Sequence, residues 1–393
     1  MQFTCQQDRL SRGLSIVGHA VAKGGISHPI LANIRLEATA SHLKLQATNL
    51  EIGITVLIEA EEVQEEGVTA VPAKLFTDIV STLPPGSLTM HVYEATHETR
   101  ITSQRGNARV RGTSPEEFPP VPGVEQGSQP VVMNAVQLKE VIKEVSIAAD
   151  YSGAREILES VLVQIEPEKV TFAAADGFRL AFRTISLPVS CAVHSNILIP
   201  VRTLLELSSI LPTDGVVQMS LAPNNSQVIF HTERMSLSSR LLEGKFPNYR
   251  AMLPAERQTR AVMKTAEFIE IVRLTALFAR ASTKVACLTI RGSQGLEPGS
   301  LTIASEESDL GGNVNTITAC VEGDDQEVAF NVDFLAEALA VTSSPEVALE
   351  IGVTRAPGAL LRPVGTGTCV HFFLAMGTGN TQPGNQQNGQ TTQ

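Results

Sequence analysis

The feature of this sequence that most constrains its fold is one helix-forming pattern that occurs three times. Each copy places four mostly apolar residues at the offsets of a single helix face. The three sets are Leu10, Gly13, Leu14 and Val17; Leu138, Val141, Ile142 and Val145; and Phe268, Ile271, Val272 and Thr275. They lie about 130 residues apart, a period that indicates three copies of one structural unit.

A second helical pattern follows the first in every copy, again about 130 residues apart. Its members are Leu75, Phe76, Ile79, Val80 and Leu83; Thr203, Leu204, Leu207, Ser208 and Leu211; and Phe334, Leu335, Ala338, Leu339 and Thr342. Pro72 and Pro200 precede two of these runs and are expected in the first helical turn, where a missing N–H group costs little. Asp8, Asn134 and Thr265 are expected to cap the first helix of each copy.

Alternating segments between and after the helices predict half-buried strands. They are residues 43–47, 88–92, 170–174, 216–221, 301–305 and 347–351. A helix with one apolar face must bury that face, here against a sheet. The sequence therefore predicts an α+β fold of three repeats, each with two helices packed on antiparallel sheets. We expect the repeats at residues 1–125, 126–255 and 256–376, followed by a disordered polar tail at 377–393.

Composition excludes several classes of protein. The net charge of −11 argues against a protein that coats nucleic acid through overall basicity, although a basic lining on an acidic body is compatible with it. Neither a signal peptide nor an apolar run of ~20 residues is present, which predicts a cytoplasmic protein without membrane contact. An odd number of widely separated cysteines predicts buried thiols, not a disulfide framework or a zinc site. The cysteines are Cys5, Cys191, Cys287, Cys320 and Cys369.

An enzyme is the main alternative class, and the motifs argue against it. The sequence contains neither G-x-x-x-x-G-K-[ST] nor a G-x-G-x-x-G that follows a strand. Asp176 beside Arg179 resembles an acid–base pair, but an ion pair within a turn is the favoured interpretation. We therefore expect no catalytic residue, no cofactor and no metal.

Three tandem copies of one unit can form an arc, and two arcs joined head to tail close a ring of six units. The alternative is a string of duplicated domains without closure. Basic residues recur on the predicted helices: Lys139 and Lys143 share a face, while Lys74 and Arg202 occupy equivalent first-turn positions. In the third repeat that position is Asp333. The pattern predicts either a lining that contacts phosphates without reading bases or an ordinary solvated face.

Several short segments along the repeats resemble a known family. They are residues 29–34 (PILANI), 47–53 (ATNLEIG), 71–74 (VPAK), 174–181 (AADGFRLA) and 245–250 (KFPNYR). In this order they resemble the beta subunit of bacterial DNA polymerase III, the family of sliding clamps. The resemblance extends from Met1 to about Met376.

The resemblance implies three DNA-clamp domains that form half of a six-domain ring. Such a chain is a head-to-tail homodimer that encircles duplex DNA and gives processivity to the replicative polymerase. It is not itself an enzyme, and it lies in the cytoplasm at the nucleoid. Its implied partners are the polymerase alpha subunit, the clamp loader, and other polymerases and repair proteins with Gln-x-x-Leu-Phe-like peptides. A scaffold of the same fold that does not bind DNA is the remaining alternative.

The resemblance also implies the site residues. The peptide cleft corresponds to Leu158, Ala175, Gly177, Phe178, Arg179, Leu180, Pro247, Ala251, Met252, Pro357, Ala359, Leu360, Phe372, Leu374 and Met376. The DNA-facing positions that it implies are Lys23, Lys74, Arg155 and Arg202, and the charge pattern on the helices adds Lys139 and Lys143. The subunit interface pairs a basic strand with an acidic segment, which favours head-to-tail contact; its residues are Arg105, Arg109, Val110, Leu277, Phe278, Glu306 and Glu307.

The sequence departs from the family at the cleft. The family usually has His at the position of Phe178 and often a basic residue at Ala251. It usually ends in a Met-Pro-Met/Leu-Arg run, whereas this chain reads LAMG at residues 374–377 and continues into the polar tail. We expect a more apolar pocket than the family's and a changed peptide preference.

Overall fold

The computed structural model describes residues 1–22, 28–123, 130–222, 225–254, 256–281, 283–305, 311–353, 357–365 and 369–377. These residues form two compact units. Unit 1 comprises Met1–Ile142, Glu159–Thr171 and Ile185–Lys245. Unit 2 comprises Lys143–Leu158, Phe172–Thr184 and the described residues from Phe246 onward.

The first repeat alternates helices with runs of strands. Its elements are β1 (Gln2–Gln6), α1 (Gln7–Val17), β2 (Asn33–Thr39), β3 (His42–Thr48), β4 (Ile52–Glu59), β5 (Glu62–Glu65), β6 (Gly67–Pro72), α2 (Ala73–Thr82), β7 (Ser87–Tyr93), β8 (Glu98–Ser103) and β9 (Gly106–Arg111). Both predicted helices and both predicted strands of this repeat are confirmed.

The second repeat has a similar order of elements, with four strands between its helices where the first repeat has five. They are β10 (Val131–Asn134), α3 (Ala135–Ser146), β11 (Ser160–Glu166), β12 (Lys169–Ala175), β13 (Arg179–Ser186), β14 (Ser195–Pro200), α4 (Val201–Ile210), β15 (Val216–Leu221), β16 (Gln227–His231) and β17 (Met235–Arg240). A strand precedes each helix, so the unit that is duplicated within a repeat is a strand, a helix and then strands.

The third repeat follows the same plan. Its elements are β18 (Glu256–Lys264), α5 (Thr265–Ala279), β19 (Val285–Arg291), β20 (Ser300–Ser305), β21 (Val314–Thr318), β22 (Cys320–Gly323), β23 (Gln326–Asn331), α6 (Val332–Val341), β24 (Glu346–Val353), β25 (Gly358–Pro363) and β26 (Val370–Leu374). Short 3-10 helices lie at Gly18–Ala20, Pro29–Ala32, Pro115–Glu117, Glu156–Glu159 and Tyr249–Met252.

Antiparallel pairing organises the strands of both units. Unit 1 contains a five-stranded sheet in the order β5-β1-β7-β8-β9 and an eight-stranded sheet in the order β10-β15-β16-β17-β4-β3-β2-β6. In the larger sheet, β17 of the second repeat pairs with β4 of the first, from Met235 opposite Val56 to Ser239 opposite Ile52. Unit 2 contains a four-stranded sheet, β21-β20-β19-β23, and the run β13-β26-β25-β24-β18-β22.

The predicted first-helix faces are buried in all three repeats. Gly13 is the small member of the α1 face, and the packing explains it. A Cβ atom on Gly13 would lie 2.5 Å from Cδ1 of Ile58 and 2.8 Å from Cδ1 of Leu45. The missing side chain therefore lets α1 lie close to β3 and β4, and the apolar contacts there come from the sheet.

The second-helix faces are only partly as predicted. Phe76 and Val80 are buried, but Leu75 is 52% exposed. Pro72 and Pro200 are the N-cap residues that end β6 and β14, and neither lies in the first helical turn. The predicted position was wrong by one residue, since each proline still belongs to the strand that precedes its helix.

Two of the three predicted first-helix caps were also wrong. Asn134 caps α3 as predicted, because its Oδ1 accepts hydrogen bonds from the N–H groups of Val136 and Gln137 at 2.9 and 3.1 Å. Asp8 lies inside the first turn of α1, whose N-cap is Gln6. Thr265 is the first residue of α5, and its hydroxyl donates to the Ser344 carbonyl at 2.6 Å. A bond to the loop that precedes β24 thus replaces a local cap.

All five cysteines are free thiols, but the expectation that all are buried was wrong. Cys5 and Cys369 are buried, whereas Cys320 is exposed on β22, an edge strand of its sheet. Burial raises the pKa of the Cys5 thiol to about 12 and that of Cys369 well above its ordinary value. The two buried thiols are therefore neutral and unreactive as nucleophiles.

Candidate functional site

The candidate site in unit 2 is built around the tight turn between β12 and β13. Oδ1 of Asp176 accepts hydrogen bonds from the N–H groups of Phe178 and Arg179, both at 2.9 Å. Gly177 has φ +96°, a left-handed conformation that glycine adopts without strain. The turn leaves the Phe178 side chain 64% exposed, which is unusual for a large apolar residue.

Arg179 is fixed in one orientation beneath this turn. Its Nε lies 2.9 Å from Oδ2 of Asp176, and its Nη1 is paired with the carboxylate of Glu337 on α6. The guanidinium also lies over the Phe334 ring, 4.4 Å from the centroid. The arginine is nearly buried, so its charge is compensated by two carboxylates and one aromatic face. The predicted ion pair in a turn is confirmed.

Backbone pairing brings the end of the third repeat beside the turn. Leu180 lies opposite Phe372, and Leu360 lies opposite the other side of Phe372. The N–H of Leu374 donates to the carbonyl of Phe178 at 2.9 Å. The predicted cleft residues of β13, β25 and β26 are therefore neighbours in one sheet.

Two further segments reach the same place in unit 2. The 3-10 helix Tyr249–Met252 contacts β13, because the rings of Tyr249 and Phe182 lie 5.7 Å apart. The guanidinium of Arg155 donates to the Asp176 carbonyl at 2.7 Å, which connects the turn to the 3-10 helix that carries Leu158. Every predicted cleft position lies among the described residues.

Burial divides the predicted cleft residues into two groups. Buried side chains can form only the floor of a site, and they are Leu158, Ala175, Arg179, Leu180, Ala359, Leu360 and Phe372. Residues with accessible surface can meet a ligand directly, and they are Gly177, Phe178, Pro247, Ala251, Met252, Pro357, Leu374 and Met376. The accessible group carries no formal charge, so the arrangement suits an apolar peptide segment more than an ionic ligand.

Comparison with known proteins identifies the family. Family models for the DNA polymerase III beta subunit match the N-terminal domain at residues 1–122, the central domain at 132–248 and the C-terminal domain at 250–376. The beta sliding clamp of Synechocystis sp. is 30% identical over 385 residues, which cover 93% of this chain and 96% of the relative. This chain belongs to the family of bacterial DNA polymerase III beta subunits, the beta sliding clamps.

Other relatives and solved structures agree with this assignment. The beta sliding clamp of Bacillus subtilis is 27% identical, covering 96% of this chain and 100% of the relative. The crystal structure of the DNA polymerase sliding clamp from Bacillus subtilis has a TM-score of 0.88 at 26% identity, and covers 96% of this chain and 99% of that one. The chain is a sliding clamp of three clamp domains, and the predicted α+β fold is confirmed.

The predicted DNA-facing residues of this clamp have different surroundings. Lys74 and Arg202 are exposed second residues of α2 and α4, as their equivalence predicts. Lys139 and Lys143 lie on α3. Arg155 differs from these because its guanidinium is bound to the Asp176 carbonyl in the turn between β12 and β13. Lys23 lies outside the described residues.

The acidic residue that breaks the basic pattern has a structural partner. Asp333 is the second residue of α6, and its Oδ1 lies 2.6 Å from Nε of Arg280 at the end of α5. Lys284 approaches the same carboxylate at 3.4 Å. Burial would raise the pKa of Asp333, but the hydrogen bonds and charges of these two cations lower it overall. The carboxylate therefore neutralises the basic end of α5.

The predicted interface residues of the first repeat lie at the edge of a sheet, and those described in the third repeat lie on α5. Arg105 lies just before β9 and Arg109 lies on it, and both are exposed. β9 is an edge strand of the five-stranded sheet. Val110 is buried within unit 1, so only its backbone is available there. Leu277 on α5 is 68% exposed, and Phe278 beside it is partly buried. Glu306 and Glu307 lie outside the described residues.

Sequence reasoning missed the residues that hold Arg179 from α6. Glu337 and Phe334 lie on a predicted helix, but no local pattern links them to β13, because Arg179 and Glu337 are 158 residues apart.

Within the part of the chain that the structure describes, no three His, Cys, Asp or Glu residues are placed to hold a metal ion. No helix among the described residues is long and apolar enough to cross a membrane.

Proposed function

We propose that this chain is a non-catalytic processivity clamp, a head-to-tail homodimeric ring that encircles duplex DNA and holds the replicative polymerase on it. The observation that carries the proposal is the succession of three clamp-family domains along residues 1–376 of one chain. A clamp that holds DNA by encircling it needs a closed ring and a binding site for its partners. It needs no catalytic residue. We place it in the cytoplasm, at the nucleoid.

Ring closure in this proposal uses the sheet edges. β9 is an edge strand of one sheet and β21 is an edge strand of another, so each offers unpaired backbone groups. Val314 on β21 is 70% exposed, and so is most of Leu277 on α5, the helix that contacts β21; such apolar surface is costly when it stays in water. Pairing β9 of one protomer with β21 of its partner would satisfy both edges and bury this apolar surface.

Contact with DNA in the proposal is made by Lys74, Lys139, Lys143 and Arg202, and Lys23 joins them by resemblance. Such contacts touch phosphates only and weaken as salt rises, whereas topological retention does not depend on them. Arg155, also predicted to face DNA, has a second role in this proposal, because its bond to Asp176 supports the turn that carries Phe178.

Retention on DNA tests the ring. The protein is loaded with a clamp loader and ATP onto nicked circular DNA, then passed through a sizing column at about 0.5 M salt, where charge contacts are screened. We expect the protein to elute with the circle, and to be lost when the circle is linearised. Salt-resistant binding to short linear duplexes, or equal loss from both forms, would contradict encirclement. Equal loss would favour a scaffold that does not encircle DNA.

Partner binding is proposed to occur at the exposed apolar surface around Phe178, Met252 and Met376. A fluorescein-labelled Gln-Ala-Ala-Leu-Phe peptide should bind with a dissociation constant of around micromolar. Phe178→Ser should weaken it about tenfold because the phenyl ring supplies apolar contact area. Val189→Ser is the matched control, since Val189 is also exposed but lies in unit 1. Equal affinity of wild type and Phe178→Ser would reject this placement.

A further inference from the structure

The internal repeat places a second turn of the same geometry in unit 1. Oδ1 of Asn49 accepts hydrogen bonds from the N–H groups of Glu51 and Ile52 at 3.0 and 2.8 Å. Asn49 N–H also donates to the Ile52 carbonyl at 3.1 Å, as Asp176 N–H does to Arg179 at 3.2 Å. Both turns therefore use one side-chain oxygen to hold the same two backbone positions.

The residue at the tip of the unit 1 turn is a leucine. Leu50 has φ +75°, where the equivalent Gly177 has φ +96°. A leucine in this left-handed conformation is strained, and such strain persists only where surrounding structure holds it. The Thr48 hydroxyl accepts from the Leu50 N–H at 3.0 Å, which helps to hold it. The strained backbone leaves the Leu50 side chain 49% exposed.

A cavity of about 630 Å³ opens beside Leu50. The 3-10 helix Pro29–Ala32 supplies its floor through the buried side chains of Ile30 and Leu31, which pack on Phe118. Pro119 completes the apolar wall. Among the described lining residues, Glu117 has the one formal charge at neutral pH, and the cavity contains no described lysine or arginine.

The lining repeats two features of the proposed peptide site, a buried leucine on a 3-10 helix and a Phe-Pro pair. Leu31 on its 3-10 helix corresponds to Leu158 on the 3-10 helix Glu156–Glu159, and both leucines are buried. The Phe-Pro pair at residues 118–119 corresponds to the pair at 246–247. The described residues that line this cavity belong to unit 1. The fold therefore builds the same kind of wall twice.

We infer that this cavity is a second docking site, for a short linear peptide with an aliphatic side chain beside a lysine or arginine. The aliphatic group would enter between Leu50, Leu31 and Pro119, and the cation would meet Glu117. The site goes beyond the proposed partner site, although the likeness between the two walls rests in part on that proposal. It would let one protomer hold two peptide segments at once.

A direct binding measurement tests this site. The probe is the fluorescein-labelled peptide Gly-Arg-Leu-Leu-Arg-Gly, titrated with the full chain at low salt and followed by anisotropy. Leu50→Asn removes the apolar side chain. Asparagine also tolerates the left-handed backbone conformation that residue 50 adopts. We expect affinity to fall about tenfold, with thermal stability equal to or above wild type. Glu117→Gln should weaken binding several-fold and reduce its salt dependence.

The controls separate this site from the proposed one. Leu75→Asn removes a leucine of similar exposure from α2 of the same repeat, and Phe178→Ser alters the other site. Neither should change the affinity for the probe by more than about twofold. The inference is overturned if binding is not saturable up to about 1 mM or if Leu50→Asn and Glu117→Gln bind like wild type. It is also overturned if Phe178→Ser alone removes binding, an outcome that leaves the proposed partner site intact.

Discussion

At the scale of single residues, His371 and Cys369 form a buried polar pair that feels the charge of Arg179. His371 on β26 is 3% exposed, and its Nε2 lies 3.5 Å from Sγ of Cys369. Burial, aided by the positive charge of Arg179, lowers the pKa of His371 to about 4. The histidine is thus neutral in the folded protein, while in the unfolded chain it binds a proton below about pH 6.5.

This histidine should make stability depend on pH. Because its folded pKa is lower than its unfolded pKa, the unfolded state binds more protons between pH 6.5 and 4. Its contribution is complete above pH 6.5 and is lost as pH falls, by up to about 3 kcal/mol at pH 4. Urea unfolding from pH 7.5 to 4.5 measures this. His371→Gln should flatten the slope relative to wild type; parallel slopes would show that carboxylates alone cause it.

At the scale of elements, helix starts in this chain are held in different ways. Asn134 and Asn331 cap α3 and α6 with side-chain oxygens, whereas Gln6, Pro72, Pro200 and Lys264 precede helices without a side-chain cap bond. In these helices the preceding strand fixes the entry of the chain. Paired strands precede α3 and α6 as well, so their asparagine caps add to an entry that the sheet already orders.

The cap of α3 gives a prediction at this scale. Asn134→Ala removes the acceptor for the N–H groups of Val136 and Gln137 and should lower the free energy of unfolding by about 1 kcal/mol. Asn134→Asp keeps the acceptor and should cost a few tenths at most. Chemical denaturation of the three proteins under identical conditions compares them. A loss of equal size in both variants would mean that the amide, not the cap, stabilises this position.

At the scale of the whole molecule, two exposed apolar residues of the third repeat bear on how two chains would join. Leu277 on α5 and Val314 on β21 are exposed in the third repeat, beside the sheet edge that ring closure is proposed to use. In unit 1, β9 has basic side chains at its edge, including Arg109. These features favour pairing of unlike surfaces, which closes into a ring, over pairing of like surfaces.

Self-association tests this arrangement. Leu277→Lys introduces a charge into the proposed apolar contact and should raise the dimer dissociation constant by at least tenfold, as for a central interface residue. Sedimentation velocity across a concentration series measures the shift. Leu296→Lys is the matched control, because Leu296 is fully exposed in the same repeat and outside the proposed contact. A dimer unaffected by Leu277→Lys would place the interface elsewhere.

The sequence by itself determined the repeat, the face of the first helix in each copy, and the family. Leu10, Leu138 and Phe268 occupy equivalent places on buried helix faces because helical periodicity is a local property that a short stretch of chain encodes. The same holds for the predicted strands, whose alternation is local as well. The positions of Lys74, Arg202 and Asp333 followed from the repeat without knowledge of the fold.

Only the tertiary structure decided which side chains meet. Arg179 is held by Glu337 across 158 residues of chain, and Asp333 is held by Arg280. Leu75 and Phe178 are apolar and yet exposed, since exposure depends on which surfaces neighbouring strands cover. The likeness between the Leu50 and Gly177 turns appeared only once their hydrogen bonds were seen. Such contacts depend on segments distant in sequence, and no local pattern encodes them.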